Sequence, residues 1–136
     1  MTERTIYSHF FITLTEAVVG FAIGAVVAVV LAVSSALSER FKRYVSPYAV
    51  VLNVTPGIAL TPIIIAWFGY GMGSKIALAA VICFFPIFVN TLTGLIQRDE
   101  DREELFRSVG ATPRQVFLKL RVPAALPLLF AGLKIG

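Results

Sequence analysis

Three stretches of the chain, residues 17–37, 49–69 and 76–96, contain no charged side chain. Each matches the roughly 20 apolar residues that a helix needs to cross a hydrocarbon core. A fourth apolar stretch starts near Ala124 and reaches Gly136 after roughly half that length. With 57% hydrophobic and 15% charged residues, a 136-residue chain has more apolar surface than a soluble domain of that size can bury. The expected fold is all-α, a polytopic transmembrane helix bundle embedded in a lipid bilayer, with both ends incomplete.

The basic residues fall in the gaps between these stretches and so report topology. Arg40, Lys42 and Arg43 follow the first span, and Arg98, Arg102, Arg107, Arg114, Lys119 and Arg121 follow the third. The alternate side holds only Arg4 and Lys75. Nine positive residues against two place the segment 97–123 in the cytoplasm and the amino terminus outside. No small-residue cleavage site follows a short apolar region, so no cleaved signal peptide is expected and an earlier span is. The same placement argues against nucleic acid as a partner, despite the net charge of +4.

Within the first span, Gly20, Gly24, Ala28 and Ala32 recur at four-residue intervals and line one helical face with small side chains, where another helix can approach closely. Packing within the same chain is the expected use of that face. Pro56, Pro62 and Pro86 each remove a backbone donor from the second and third spans. With Asn53 and Asn90, polar groups that should avoid lipid, they are candidates for a pathway or its gating. Glu16 reads as a hydrated helix-start carboxylate, and Trp67, Phe68 and Tyr70 as anchors at headgroup level.

Several apparent motifs dissolve on inspection. Gly69 to Lys75 ends Gly-Ser-Lys, whereas a phosphate loop requires Gly-Lys before Ser or Thr, so it reads as a tight glycine turn. One histidine, His9, and one cysteine, Cys83, exclude a disulfide framework and a triad of the Ser-His-Asp or Cys-His kind. The acidic run Asp99, Glu100, Asp101, Glu103 and Glu104 reads as a solvated helix start favoured by the helix dipole. No cofactor, metal or catalytic site is expected, and any ATP hydrolysis belongs to another polypeptide.

The segment between the third and fourth stretches has a clear local grammar. A helix is expected from about Asp99 to Val109, ended by Gly110 in the left-handed cap conformation. Thr112 then caps a second helix, with Pro113 at its first position and Gln115 completing a capping box. Pro123 should push Val122 toward extended geometry and end that helix before the fourth span. Leu105, Phe106, Val109, Val116, Phe117 and Leu120 give both halves an apolar face. Two helices on so short a tether, without a third to complete a core, do not make a DNA-reading domain.

At these residues the chain resembles the permease subunits of binding-protein-dependent ABC transporters. Their cytoplasmic loop runs Glu-Ala-Ala, three residues, Gly, nine residues, Ile, one residue, Leu-Pro, and Glu104, Gly110, Leu120, Val122 and Pro123 stand at the matching positions. Leu105 and Phe106 replace the two alanines. Ala59-Leu60-Thr61-Pro62, Trp67-Phe68-Gly69-Tyr70-Gly71, Ser74-Lys75, Phe84-Phe85-Pro86 and Asn90-Thr91 extend the resemblance to the nitrate, sulfonate and taurine branch, also used for vitamin precursors. The resemblance implies one partial permease domain over 1–136, of the type I importer kind, in the cell inner membrane. It implies a second permease copy, an extracytoplasmic substrate-binding protein and cytoplasmic ATPase subunits as partners. Residues 97–123 would then be the coupling loop, with Gly110 setting its corner, Ala111 allowing close approach, and Phe106, Val109 and Val116 buried against the ATPase. The competing expectation is a truncated, non-transporting remnant or scaffold.

Overall fold

The computed structural model describes residues 3–54, 57–97 and 99–136, with the side chains of 42, 45, 46, 49, 50, 52–54, 57 and 58 outside that description. Pro56 and Arg98, and the side chain of Asn53, therefore lie outside the described residues. The described chain is helical: α1 (Glu3–Leu37), α2 (Glu39–Val54), α3 (Gly57–Phe68), α4 (Met72–Ile96), α5 (Glu100–Ser108), α6 (Pro113–Val116), a π-turn (Phe117–Arg121) and α7 (Val122–Ile135). Among the described residues, three helices are long and apolar enough to cross a membrane: Glu3–Leu37, Met72–Ile96 and Pro113–Ile135. The stretch expected as a second span is carried by the end of α2 and by α3, whose apolar part is Ala59–Phe68.

Helix α4 is the hub, with α1 along one side, α7 along another, and α2 and α3 also touching it. The packing inverts the pattern of a water-soluble protein. On α1 the buried residues are Glu16, Gly20, Gly24, Ala28, Ala32 and Ser35, while Val18, Ile23, Val26 and Val30 are exposed. In lipid there is no gain from hiding a valine, so the helices meet where side chains are smallest and dispersion contacts are densest. A Cβ on Gly20 would stand 2.6 Å from Ala79 Cβ, and one on Gly24 would overlap the Ala80 carbonyl oxygen. The contact of α4 with α7 uses the same device, because Cβ atoms on Gly94 and Gly132 would come within 3.0 Å of the Ala125 and Ile87 Cα atoms. Around these approaches Cys83, Ile87, Phe88 and Leu92 fill the core with Ala28 and Ala32.

Two hydroxyls of α1, the buried Ser35 and the exposed Thr15, satisfy themselves locally. Ser35 Oγ donates to the Leu31 carbonyl at 2.7 Å, and Thr15 Oγ1 to the Phe11 carbonyl at 2.8 Å, the back-bonding that hydroxyls use within a helix. Glu16 corrects the expectation of a hydrated helix-start carboxylate. Helix α1 begins at Glu3, which places Glu16 in its interior at 3% exposure, with Lys75 Nζ at 3.3 Å. Neither Glu16 oxygen receives an aligned hydrogen bond, so charge alone holds the pair that ties α1 to the first turn of α4.

Proline explains the second difference from the sequence reading. Val122 is helical at φ −62°, ψ −50°, and the helix runs unbroken from Pro113 to Ile135 through Pro123. A proline in a regular α-helix clashes with the carbonyl four residues back. The π-turn immediately upstream, where the Val122 N–H donates to the Phe117 carbonyl five residues back, shifts the carbonyl register and removes the conflict.

Opposite outcomes are expected at two glycines of α1 and α4. Gly24→Val should cost about 3 kcal/mol, the upper range for overpacking, because its neighbour is backbone. Gly73→Ala, with only Phe68 Cδ1 at 4.0 Å from its Cβ, should leave the melting temperature in detergent unchanged or raise it. Lys75→Met strands the buried Glu16 carboxylate and should lower that temperature more than Lys75→Met combined with Glu16→Gln does.

Candidate functional site: the elbow between α4 and α7

Asp99 caps α5, its Oδ1 accepting from the Arg102 N–H at 3.3 Å while Arg102 Nε lies 3.0 Å from Oδ2. Glu100, Asp101 and Glu103 stand in the first turn and Arg107 in the last, each sign matching the helix dipole. Gly110 adopts φ +80°, and the chain closes on α5 through two bonds: the Gly110 N–H to the Arg107 carbonyl and the Ala111 N–H to the Phe106 carbonyl, both 3.0 Å. This is the glycine-centred C-cap expected from the sequence. Across the corner, Thr112 Oγ1 accepts from the Gln115 N–H at 3.4 Å and Gln115 Oε1 accepts from the Thr112 N–H at 2.9 Å, the reciprocal capping box. Three local devices thus build an elbow of two helices between Asp99 and Val116.

The elbow sorts the predicted residues into two sets. Glu104, Leu105, Val109 and Gly110 are exposed, Val109 at 77% and Leu105 at 64%, with Phe106 and Ala111 half-buried. Val116 is buried within the chain itself, so it does not belong to the free surface. Leu120 and Val122 are half-buried, Val122 against the cluster of Leu95, Phe117 and Ala125, and Pro123 is exposed. Beside the elbow, between it and the end of α1, lies an open cleft lined by Leu37, Arg107, Ala111, Pro113 and Phe117.

The residues proposed for a pathway are only partly brought together. Pro86 and Asn90 are half-buried on α4, where Asn90 Nδ2 donates to the Pro86 carbonyl at 2.8 Å beside Gly132 of α7. Pro62 is exposed on α3. The stripe Gly20, Gly24, Ala28 and Ala32 is consumed by α4.

Glu103 is the residue that sequence reasoning missed. Counted there among the solvated acids, it is buried, and its Oε1 accepts from Arg121 Nε at 2.7 Å with Nη2 also at 2.7 Å. The available signal was its position three residues before Phe106, on the same helical face.

The chain matches the model of the "binding-protein-dependent transport system inner membrane component" family over residues 20–136. It belongs to that family. Among its relatives, the formylaminopyrimidine transport permease protein ThiX of Halalkalibacterium halodurans is 40% identical over 136 residues, all of this chain and 54% of the relative. The putative aliphatic sulfonates transport permease protein SsuC of Bacillus subtilis is 32% identical over 131 residues, 96% of this chain and 48% of the relative. The riboflavin transport system permease protein RibX of Chloroflexus aurantiacus is 31% identical over 136 residues, all of this chain and 51% of the relative. The chain thus spans about half the length of the curated relatives it matches. Its membership and its three apolar helices make it part of an ABC-transporter permease, a multi-pass inner-membrane protein.

The corner residue gives a direct check. Gly110 has no atom within 4 Å of its missing Cβ, so the cost of replacing it comes from backbone conformation alone. Gly110→Val should destabilise the elbow by about 2 kcal/mol, whereas Gly110→Asn, which tolerates the left-handed region, should cost less than half of that. Amide exchange of residues 105–116 reads the difference.

Proposed function

We propose that this chain forms part of the membrane pathway of an ATP-driven importer and that its elbow, residues 97–123, docks in the cytoplasm onto a separate ATPase. The observation that carries this reading is the exposure of Glu104, Leu105 and Val109 on a rigidly capped corner at the position of the family's loop pattern. Apolar side chains so exposed next to charged ones suit a protein groove better than lipid or water. Nine basic residues on one side against two on the other support the cytoplasmic placement. Closure of two ATPase subunits would draw two such elbows together and rock the attached helices, a rigid-body transition of a familiar kind. Glu104, exposed in the first helix of the elbow, is available to pair with a basic residue of the ATPase.

Relatives named for a formylated pyrimidine, aliphatic sulfonates and riboflavin support a small organic solute or anion as cargo, delivered by a binding protein outside. A second permease copy would complete the pathway. Labelling of a Ser108→Cys variant by a membrane-impermeant thiol reagent should succeed in inside-out vesicles and fail in intact cells. Labelling from outside would refute the cytoplasmic elbow. In the assembled transporter, Gly110→Val should leave insertion intact and raise ATP consumed per solute moved by about tenfold, the scale of a typical coupling free energy.

A further inference from the structure

We infer that the ion pair of Glu103 with Arg121 is the clasp that makes the elbow and α7 one rigid lever; as a route of force it rests on the coupling role proposed above. Helix α5 has nine residues, fewer than the roughly 12–15 below which an isolated helix is marginal in water. Its hold on the rest of the chain is narrow. Glu103 is its buried residue, Phe106 is half-buried, and the others from Glu100 to Ser108 are exposed. The contact that anchors it is therefore a charged one: both Arg121 Nε and Nη2 lie 2.7 Å from Glu103 Oε1, with side-chain exposures of 19% and 9% for the arginine and the glutamate. A shielded, charge-assisted pair with two donors on one acceptor fixes direction as well as distance, which a lysine in place of the arginine would not.

Arg121 reaches Glu103 because of the π-turn. It is the last residue of that turn, two positions before Pro123. Five residues per hydrogen-bonded step in place of four turn α6, and the corner attached to it, by about a quarter of a revolution about the axis of α7. The π-turn thus sets the angle at which α5 meets Arg121. Motion imposed on α5 then reaches α7 by two routes, the covalent corner at Gly110 and the clasp, and two routes define a rigid body where one defines a hinge.

The test has two readings. In lipid nanodiscs, with Cys83→Ala as background, spin labels at Asp101→Cys and Leu118→Cys should give one narrow distance distribution. Glu103→Gln should broaden it, and the exchange Glu103→Arg with Arg121→Glu should narrow it again. In the assembled transporter, Glu103→Gln should raise ATP consumed per solute moved by about tenfold with ATPase co-purification unchanged, and the charge exchange should restore the ratio to within about twofold. A narrow distribution retained in Glu103→Gln, or an exchange that restores neither reading, overturns the clasp. A broadened distribution with unchanged ATP consumption overturns the lever. A wild-type assembly that retains no ATPase refutes the coupling role and the lever with it, while the distances still judge the clasp.

Discussion

Everything in this bundle depends on how closely α1 and α4 can approach. Where a soluble helix pair is driven together by water's rejection of large apolar side chains, two helices in lipid gain only what their surfaces touch. Gly20 and Gly24 bring the α1 backbone against Ile76, Ala79 and Ala80, and Ala28 and Ala32 continue the seam into the cluster around Ile87 and Phe88. Helix α7 closes on α4 in the same way through Gly94 and Gly132. The elbow is therefore suspended from two ends, α4 and α7, whose separation is set by glycine contacts and leaves little slack.

On that scaffold the elbow differs in the forces that hold it. The membrane part is a matter of shape; the elbow is a matter of hydrogen bonds and charge. Asp99, Gly110, Thr112 and Gln115 satisfy the helix ends, and Glu103 with Arg121 ties the outer helix back. The apolar residues left over, Leu105 and Val109, are not needed to hold the elbow in shape and remain free to meet a partner.

What could be read from the amino acids alone follows the range of the interactions. The small-residue stripe was legible because its period is the helix's own, and the corner was legible because caps act over three or four residues. The Glu103–Arg121 pair joins residues far apart in sequence and requires a π-turn that no local rule announced. The expectation that Val122 would be extended failed because the preference of a residue before proline is a bias that helix packing overrides, as it does at Phe85 before Pro86 and Leu126 before Pro127. Glu16 was misjudged because its surroundings depend on where α1 begins, at Glu3, and on Lys75 arriving from another helix.

The unequal lengths of the packed helices carry one more consequence. At 1.5 Å per residue, α1 with 35 residues is about 52 Å long and α4 with 25 is about 37 Å, beside a hydrocarbon core of about 30 Å. Locked together by their glycine seam, the two cannot adjust separately, and the aromatic turns of α1 around Tyr7, Phe10 and Phe11 must ride above the acyl chains whenever α4 is centred. Bilayer thickness therefore becomes a mechanical input: a thinner or thicker membrane tilts the pair as one unit.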